Sequence, residues 1–393
     1  MIPHLNRLIT DLRASHRPVL LVGGGARDSQ VLELSRRTGI PAYPTWNALD
    51  IVPSDFQNYC GRIGTYGGAG RNFGLQNCDL LIAIGTRISG RITGGMSETF
   101  TRGARRWLID TEPNWNPVEI HESLAASADT FTSALLAALT WLPDWREWRS
   151  LCLDWRYRYD PVRPEFFQQE TVHPYAFARK LSELADPRAV VITDCGGNVV
   201  VMNQAFETKQ GQRFFSNNGN SPMGFSFCGA LGAWFAAPER QVICVIGDGG
   251  MTVNSQELQT VVNYGAKFKT FILDNRVYGI TKAYQRTNMG GRYEACGPVG
   301  YNPPDWERVC LGYGVDTRNI FRTQNMELVI ADVLAADHAI VCVVLCPEFS
   351  TYEPRIASWS DPIEDMSPKL PREEFRANMI IDPLPGWDTR SLK

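Results

Sequence analysis

The chain is poor in histidine, in paired cysteines and in long apolar runs. Only five histidines occur in 393 residues, at positions 4, 16, 121, 173 and 338, and none stands near the chain's acidic and glycine-rich motifs. A histidine-rich metal centre or a histidine-based nucleophile relay therefore has little to draw on. The ten cysteines are scattered without a CxxC pair, and the closest two, Cys342 and Cys346, fall on a predicted buried strand. That usage points away from a zinc ribbon or a disulfide framework and towards reduced core thiols in the cytoplasm. No apolar run approaches the ~20 residues of a membrane span. Residues 1–16 carry charge throughout and lack the apolar core of a signal peptide. A net charge of −3 and a pI near 6.0 give no footing for nucleic acid or a membrane surface. What is present, 44% hydrophobic and 21% charged residues, suits a globular protein with a large core, and the length predicts two domains.

The most informative stretch is 241–279, QVICVIGDGGMTVNSQELQTVVNYGAKFKTFILDNRVYG. An apolar run at 242–246 stops at Gly247-Asp248-Gly249-Gly250. A helical pattern opening near Thr252 comes next, and a second apolar run at 268–273 stops at Asp274-Asn275. This is a strand–turn–helix–strand unit with an acid ending one strand and an amide ending the next. In a parallel sheet both would emerge at the carboxyl edge, where α/β folds bind ligands. Glycines let backbone amides approach an anion closely. One carboxylate oxygen, one amide oxygen and a loop carbonyl would hold Mg2+, with phosphate oxygens and water completing six ligands. A plain glycine turn would explain Gly-Asp-Gly alone; the distant Asn275 at a second strand end favours a magnesium–diphosphate site.

The remaining sequence fits the same class, α/β with two doubly wound parallel-sheet domains. In the first domain, residues 1–145, strands are predicted at 18–22, 40–44, 80–84 and 106–109, with a Gly23-Gly24-Gly25 turn after the first. That turn does not satisfy GxGxxG, so a nucleotide loop and a tight structural turn both remain open. Residues 146–170 form a connector in which aromatic and basic residues alternate. Interspersed acids make it a packed helix rather than a single-strand nucleic-acid platform. The second domain, 171–360, starts a helix at His173-Pro174 and has strands at 189–193, 213–216 and 340–345 besides the pair above. A small-residue helix covers 225–236. The tail, 361–393, is rich in proline and charge but carries Met366, Phe375, Met379, Ile380, Ile381 and Trp387. It is expected to fold over the active-site mouth or onto a partner.

The GDG motif, with an asparagine pair some distance beyond it, resembles the signature of the thiamine-diphosphate enzymes, here with Asp274-Asn275 in place of the pair. The stretches RPVLLVGGGAR (17–27), GIPAYPTWNALDIVP (39–53) and QNCDLLIAIGTRISGRITG (76–94) look like the central, Rossmann-like domain of acetolactate synthases. By that resemblance residues 171–360 are the pyrophosphate-binding domain. Asp248, Asn275 and the carbonyl of Val277 match the metal ligands. Gly249 and Gly250 match the diphosphate cradle, and Gly197 and Asn198 match a second phosphate loop. Ser221, Gly247, Tyr278 and Gly279 fall in cofactor contact. Met223, in SPMGF (221–225) and 25 residues ahead of Asp248, matches the buttress that bends the cofactor into a V. The bend lets the cofactor's own amino group deprotonate its reactive carbon, so that the cofactor carries the hard chemistry. Tyr278, Tyr284 and Gln285 are assigned to the substrate pocket; Tyr284 stands where acetolactate synthases carry a tryptophan nine residues past the metal asparagine. Those enzymes lay RFDDRVTG against a bound FAD. Here Arg87 and Arg91 remain and both aspartates are replaced, leaving FAD binding and a bare scaffold both open.

The resemblance also implies a part supplied from elsewhere. The family's catalytic glutamate comes from an N-terminal pyrimidine-binding domain, whereas this sequence starts at the approach to the central domain. The expectation is a separate subunit that brings the glutamate, in a dimer of heterodimers, with a truncated chain, inactive by itself, as the alternative. The implied activity is decarboxylation of pyruvate or a related 2-ketoacid and transfer of the acyl carbanion to a carbonyl acceptor. Simple non-oxidative decarboxylation and a non-catalytic scaffold subunit are the alternatives.

Overall fold

In the computed structural model, which describes residues 2–68, 70–114, 116–348 and 351–389 (backbone only for 2 and 3), the chain forms two units. Residues 1–161 with 353–393 make the first, and Val162–Tyr352 the second. Each holds one wholly parallel sheet, as the alternating strand and helix patterns predict. Among the described residues no helix is long and apolar enough to cross a membrane.

In the first unit β1 (Pro18–Val22), β2 (Ala42–Pro44), β3 (Leu80–Ile84), β4 (Arg105–Asp110) and β5 (Glu122–Ala125) lie in the order β2-β1-β3-β4-β5. β1 and β3 pair from Pro18 with Leu80 to Val22 with Ile84, and every residue of both is buried. Their unbroken apolar sequences reflect burial on both faces of a parallel sheet. The sheet changes winding direction between β1 and β3. There the Gly23–Gly25 turn packs backbone to backbone against the loop after β3: Gly23 N donates to Ile84 O and Gly25 N to Gly85 O, each at 2.9 Å. A Cβ at Gly23 would lie 2.1 Å from Gly85 O. These glycines are required by loop-to-loop contact.

Residues 146–161 of the connector and residues 353–393, the tail included, belong to this unit, and residues 162–170 to the second. Helix Arg146–Arg158 buries Trp148, Cys152 and Trp155. Trp148 Nε1 donates to Pro18 O at 3.0 Å, and Arg156 lies 4.4 Å over the Tyr59 ring. Aromatic–basic alternation here is helix packing. Ile356, just ahead of the tail, and Ile363, Phe375 and Met379 within it join the unit's hydrophobic core. Asn77 clasps it from both sides, its Nδ2 donating to Asn378 O and its Oδ1 accepting from Ile380 N, each at 2.8 Å. Trp155 Nε1 donates to Asn378 Oδ1 at 2.7 Å. Met366, Phe375 and Met379 are thus buried within this unit while Ile380 stays 46% exposed; residues 390–393 lie outside the described part.

In the second unit β6 (Val190–Thr193), β7 (Arg213–Phe215), β8 (Val242–Gly247), β9 (Lys269–Asp274), β10 (Asp316–Ile320) and β11 (Ile340–Leu345) take the order β10-β11-β9-β8-β6-β7. The chain steps from β6 to β7 on one side, then returns to place β8 and β9 on the other. The crevice between the carboxyl ends of β6 and β8 is therefore the topological switch point, where such sheets bind ligands. β8 and β9 are parallel with Gly247 opposite Leu273, so the next residues along, Asp248 and Asp274-Asn275, leave at one edge.

The tail's packing has a direct test. Phe375 is 2% exposed, with its ring 6.1 Å from Phe73 and 6.0 Å from Trp387. Phe375→Ala should lower stability by about 3–5 kcal/mol, read as a shifted denaturant midpoint. An unchanged midpoint would mean that the tail is peripheral to the core.

Candidate active site

A cavity sits at the switch point of the second unit. The loops after β6, β8 and β9 line it, together with Met223, Pro174, Cys346 and Tyr352. Of the twelve residues assigned to the cofactor from sequence, all but Ser221 line this cavity. Ser221 lies outside it, in a left-handed turn with φ 52°.

The helix after β8 runs Asp248–Asn254 and so starts four residues before the predicted opening at Thr252. Asp248 is 3% exposed; its Oδ1 accepts from Gly249 N at 2.9 Å and its Oδ2 from Arg276 N at 3.0 Å. The second bond requires the chain to double back after Asn275, which it does with Arg276 at φ 62°. Asn275 also lines the cavity, and its Oδ1 accepts from Val277 N at 3.3 Å. Burial, then the neighbouring Asp274 carboxylate, pushes the Asp248 carboxyl up to about 7. Two buried acids side by side form a site where a cation would relieve both burial and repulsion. Among the described residues no three His, Cys, Asp or Glu side chains gather around a metal. An ion here would rest on one carboxylate, amide and backbone oxygens, and oxygens brought by a ligand, which is the donor set Mg2+ favours.

The opposite wall has the polarity of an anion site. Helix Gly197–Ala205 opens onto the cavity behind Gly196, whose φ is 72°. Asn198 is 6% exposed; its Oδ1 accepts from Thr193 Oγ1 and from Asp194 N, while its Nδ2 is buried without a partner. A buried donor left unpaired costs about 1–3 kcal/mol unless a ligand satisfies it. An orphan amide beside a nine-residue helix's amino end suits phosphate. Across from it a Cβ at Gly249 would fall 2.3 Å from Tyr278 Cε1 and 3.4 Å from Met223 Cε, so the glycine is what lets both side chains close over the backbone. Tyr278 is itself backed by Tyr301, with ring centroids 4.0 Å apart.

Two residues assigned to the substrate pocket lie elsewhere. Tyr284 is 57% exposed and outside the cavity. Gln285 is buried in a latch: Nε2 donates to Glu294 O at 2.9 Å, and Oε1 accepts from Glu294 N at 3.0 Å and from Cys296 Sγ at 3.2 Å. It ties helix Gly279–Asn288 to the loop beyond it. Ile280 and Tyr278 do line the cavity. Nine further residues line the cavity without having been assigned a role from the sequence, among them Asp194, Cys195, Pro174 and Tyr352. Asp194 alone carries a signal, an acid ending a buried strand.

The sign of the Asp248 shift gives a prediction for the ligand-free protein. The unfolded carboxyl titrates near 3.9 and the folded one near 7, so between these values the folded state holds a proton that the unfolded state has released. Stability should fall as pH rises from about 4 to about 7 and level off above it. Asp248→Asn should flatten that slope in denaturant titrations at stepped pH; an unchanged slope would assign the shift elsewhere.

Known proteins match both units. Residues 5–134 match "Thiamine pyrophosphate enzyme, central domain", and residues 194–344 match "Thiamine pyrophosphate enzyme, C-terminal TPP binding domain". The chain is similar to the acetolactate synthase isozyme 2 large subunit of Escherichia coli, 29% identical over 367 residues, covering 91% of this chain and 65% of that protein. It is similar to a probable acetolactate synthase large subunit of Methanocaldococcus jannaschii, 29% identical over 391 residues, covering 92% and 63%. An acetolactate synthase large subunit of Parasynechococcus marenigrum is 30% identical over 335 residues, covering 83% and 53%. The chain spans less than two thirds of the length of these relatives. It belongs to the thiamine pyrophosphate enzyme family, of which it carries the central and the C-terminal TPP-binding domains.

Proposed function

We propose that the chain is a subunit of a thiamine-diphosphate- and Mg2+-dependent carboligase. It would decarboxylate pyruvate or a related 2-ketoacid and pass the acyl carbanion to a carbonyl acceptor. The observation that supports this best is the meeting, in one cavity, of Asp248, Asn275, the glycine pair 249–250 and the unpaired Asn198 amide. Asp248, the Asn275 amide and the Val277 carbonyl would hold the cation. Asn198, Gly197 and the backbone of Gly249 and Gly250 would take the diphosphate. Met223, 38% exposed, would press on the middle of the cofactor. Bound thiamine diphosphate supplies an electron sink for the carbanion left when CO2 departs. The chain's own part is to anchor, to bend and to exclude water, with Tyr278 and Ile280 forming the apolar wall beside the reacting centre.

A separate subunit carrying a pyrimidine-binding domain would bring the catalytic glutamate, in a dimer of heterodimers. Helix Phe225–Ala236 supports this reading. It has no charged residue, begins two residues after Met223, and leaves Cys228, Gly232 and Phe235 exposed, with Phe235 edge-on to exposed Tyr264 at 5.2 Å. We take the assembly to be cytoplasmic, in keeping with ten free cysteines, most of them buried.

In this reading the first unit is a scaffold without FAD. The Gly23 and Gly25 amides that a dinucleotide phosphate would need are engaged with Ile84 and Gly85. The segment after Arg87 is covered by the tail, since a Cβ at Gly95 would lie 2.3 Å from Trp359 O. Arg91 is turned over the Trp46 ring at 4.9 Å.

Two outcomes test the proposal. The purified chain, with a pyrimidine-domain partner, should release CO2 from pyruvate only when Mg2+ and thiamine diphosphate are both added. A carbonyl acceptor should divert product from aldehyde to acyloin; aldehyde alone would make it a simple decarboxylase, and no turnover with bound cofactor would make it a scaffold. The protein should also show no flavin absorbance and take up no added FAD; a stoichiometric flavin would refute that part.

A further inference from the structure

The residue after Met223 is held on every side. Gly224 sits at φ 82°; its amide donates to Asp194 Oδ2 at 3.0 Å and its carbonyl accepts from Asn254 Nδ2 at 3.0 Å. A Cβ at Gly224 would fall 2.5 Å from that same nitrogen. Two residues on, Ser226 N donates to the other carboxylate oxygen, Asp194 Oδ1, at 3.0 Å. Gly224 is the N-cap of helix Phe225–Ala236 and has no side chain to cap it. Asp194, thirty residues earlier in the chain, does what a cap residue ordinarily does, accepting the first free amides with a charge that suits the helix's amino end.

Asp194 is itself buried and tied to its neighbours. It is 2% exposed at the end of β6, with its amide donating to Val245 O of β8 at 3.1 Å and to Asn198 Oδ1 at 3.0 Å. On its far side a Cβ at Gly250 would lie 2.3 Å from Oδ2, so the glycine that opens the β8 loop also makes room for this carboxylate. One side chain thus joins three of the loops around the cavity. Burying a carboxylate is costly unless charge-assisted hydrogen bonds offset it, and both oxygens here have a backbone amide. Met223 gains most. Its unbranched thioether has three rotatable bonds and, being partly exposed, does not fix its own position. Where it enters the cavity depends on its backbone.

We infer that Asp194 is a positioning residue: by capping helix Phe225–Ala236 and clamping Gly224 against Asn254, it sets how far Met223 projects into the cofactor cavity. Its effect on the cofactor rests on the proposed function; the clamp itself does not.

The test uses the full-length chain and the variants Asp194→Asn, Asn254→Ala and Met223→Ala. Hydrogen–deuterium exchange of the ligand-free proteins reads the clamp. Asp194→Asn turns an –NH2 towards one of the two amides, and Asn254→Ala frees the carbonyl. Each should speed exchange over residues 221–228 by roughly tenfold, leaving β8 and β9 unchanged; equal exchange in all proteins overturns the inference. Binding of thiamine diphosphate with Mg2+ to each protein in the presence of the pyrimidine-domain partner, by calorimetry, reads the consequence. Asp194→Asn and Met223→Ala should each weaken it roughly tenfold, and the double variant little more than either, the pattern of residues acting as one unit. Fully additive losses would overturn the inference. If Asp194→Asn does not fold, Asn254→Ala carries the same two readouts. Should the wild type bind no cofactor, the functional reading fails, and the exchange comparison alone then decides for or against the clamp.

Discussion

Two carboxylates end neighbouring strands at the crevice between β6 and β8, and the site depends on how each is satisfied. Asp194 and Asp248 are both buried, 2% and 3% exposed. Asp194 takes backbone amides on both oxygens from a loop and helix that need them. Asp248 also accepts two amides, and burial, then the second acid Asp274 beside it, drives its proton affinity up. The same side chain in adjacent places therefore does opposite work, one closing the structure and the other keeping capacity for a cation. Gly249 and Gly250 mediate between them: the first admits Tyr278 and Met223, the second admits the Asp194 carboxylate.

The parts of this arrangement that are legible in sequence are those with local causes. A strand buried on both faces of a parallel sheet reads as a continuous apolar run, so β1, β3, β8, β9 and β11 are plain. Parallel pairing then forces the residues beyond β8 and β9 to one edge, which is why Asp248 and Asn275 can be joined across 27 residues. Edge strands obey no such rule. β5, ESLA, and β10, DTRNI, alternate exposed and buried residues at the margins of their sheets, and neither stands out in the sequence. The clamp on Gly224 is illegible for another reason: its donors and acceptors are dictated by where β6, β8 and helix Phe225–Ala236 meet, and no local pattern encodes that.

Tyr284 and Gln285 are reached by counting from Asn275, and helix geometry explains why they miss the cavity. Each residue of helix Gly279–Asn288 advances about 1.5 Å, so positions four and five beyond Ile280 have passed the cavity's rim. The tail shows how little local pattern says about where a segment packs. Its apolar residues announce that they will be buried, but burial has no address; Phe375 and Met379 fill the core of the first unit, and Asn77 with Trp155 fixes the segment there.

The central claim is that Asp248 and Asn275 jointly hold a divalent cation that anchors a diphosphate. Mn2+, which substitutes for Mg2+ in oxygen sites, makes this directly observable by electron paramagnetic resonance. With the pyrimidine-domain partner present, one Mn2+ should bind per chain only when thiamine diphosphate is added, and that binding should be lost in Asn275→Ala as in Asp248→Asn. Tight Mn2+ binding without the cofactor, or binding unaffected by the loss of Asn275, would contradict it.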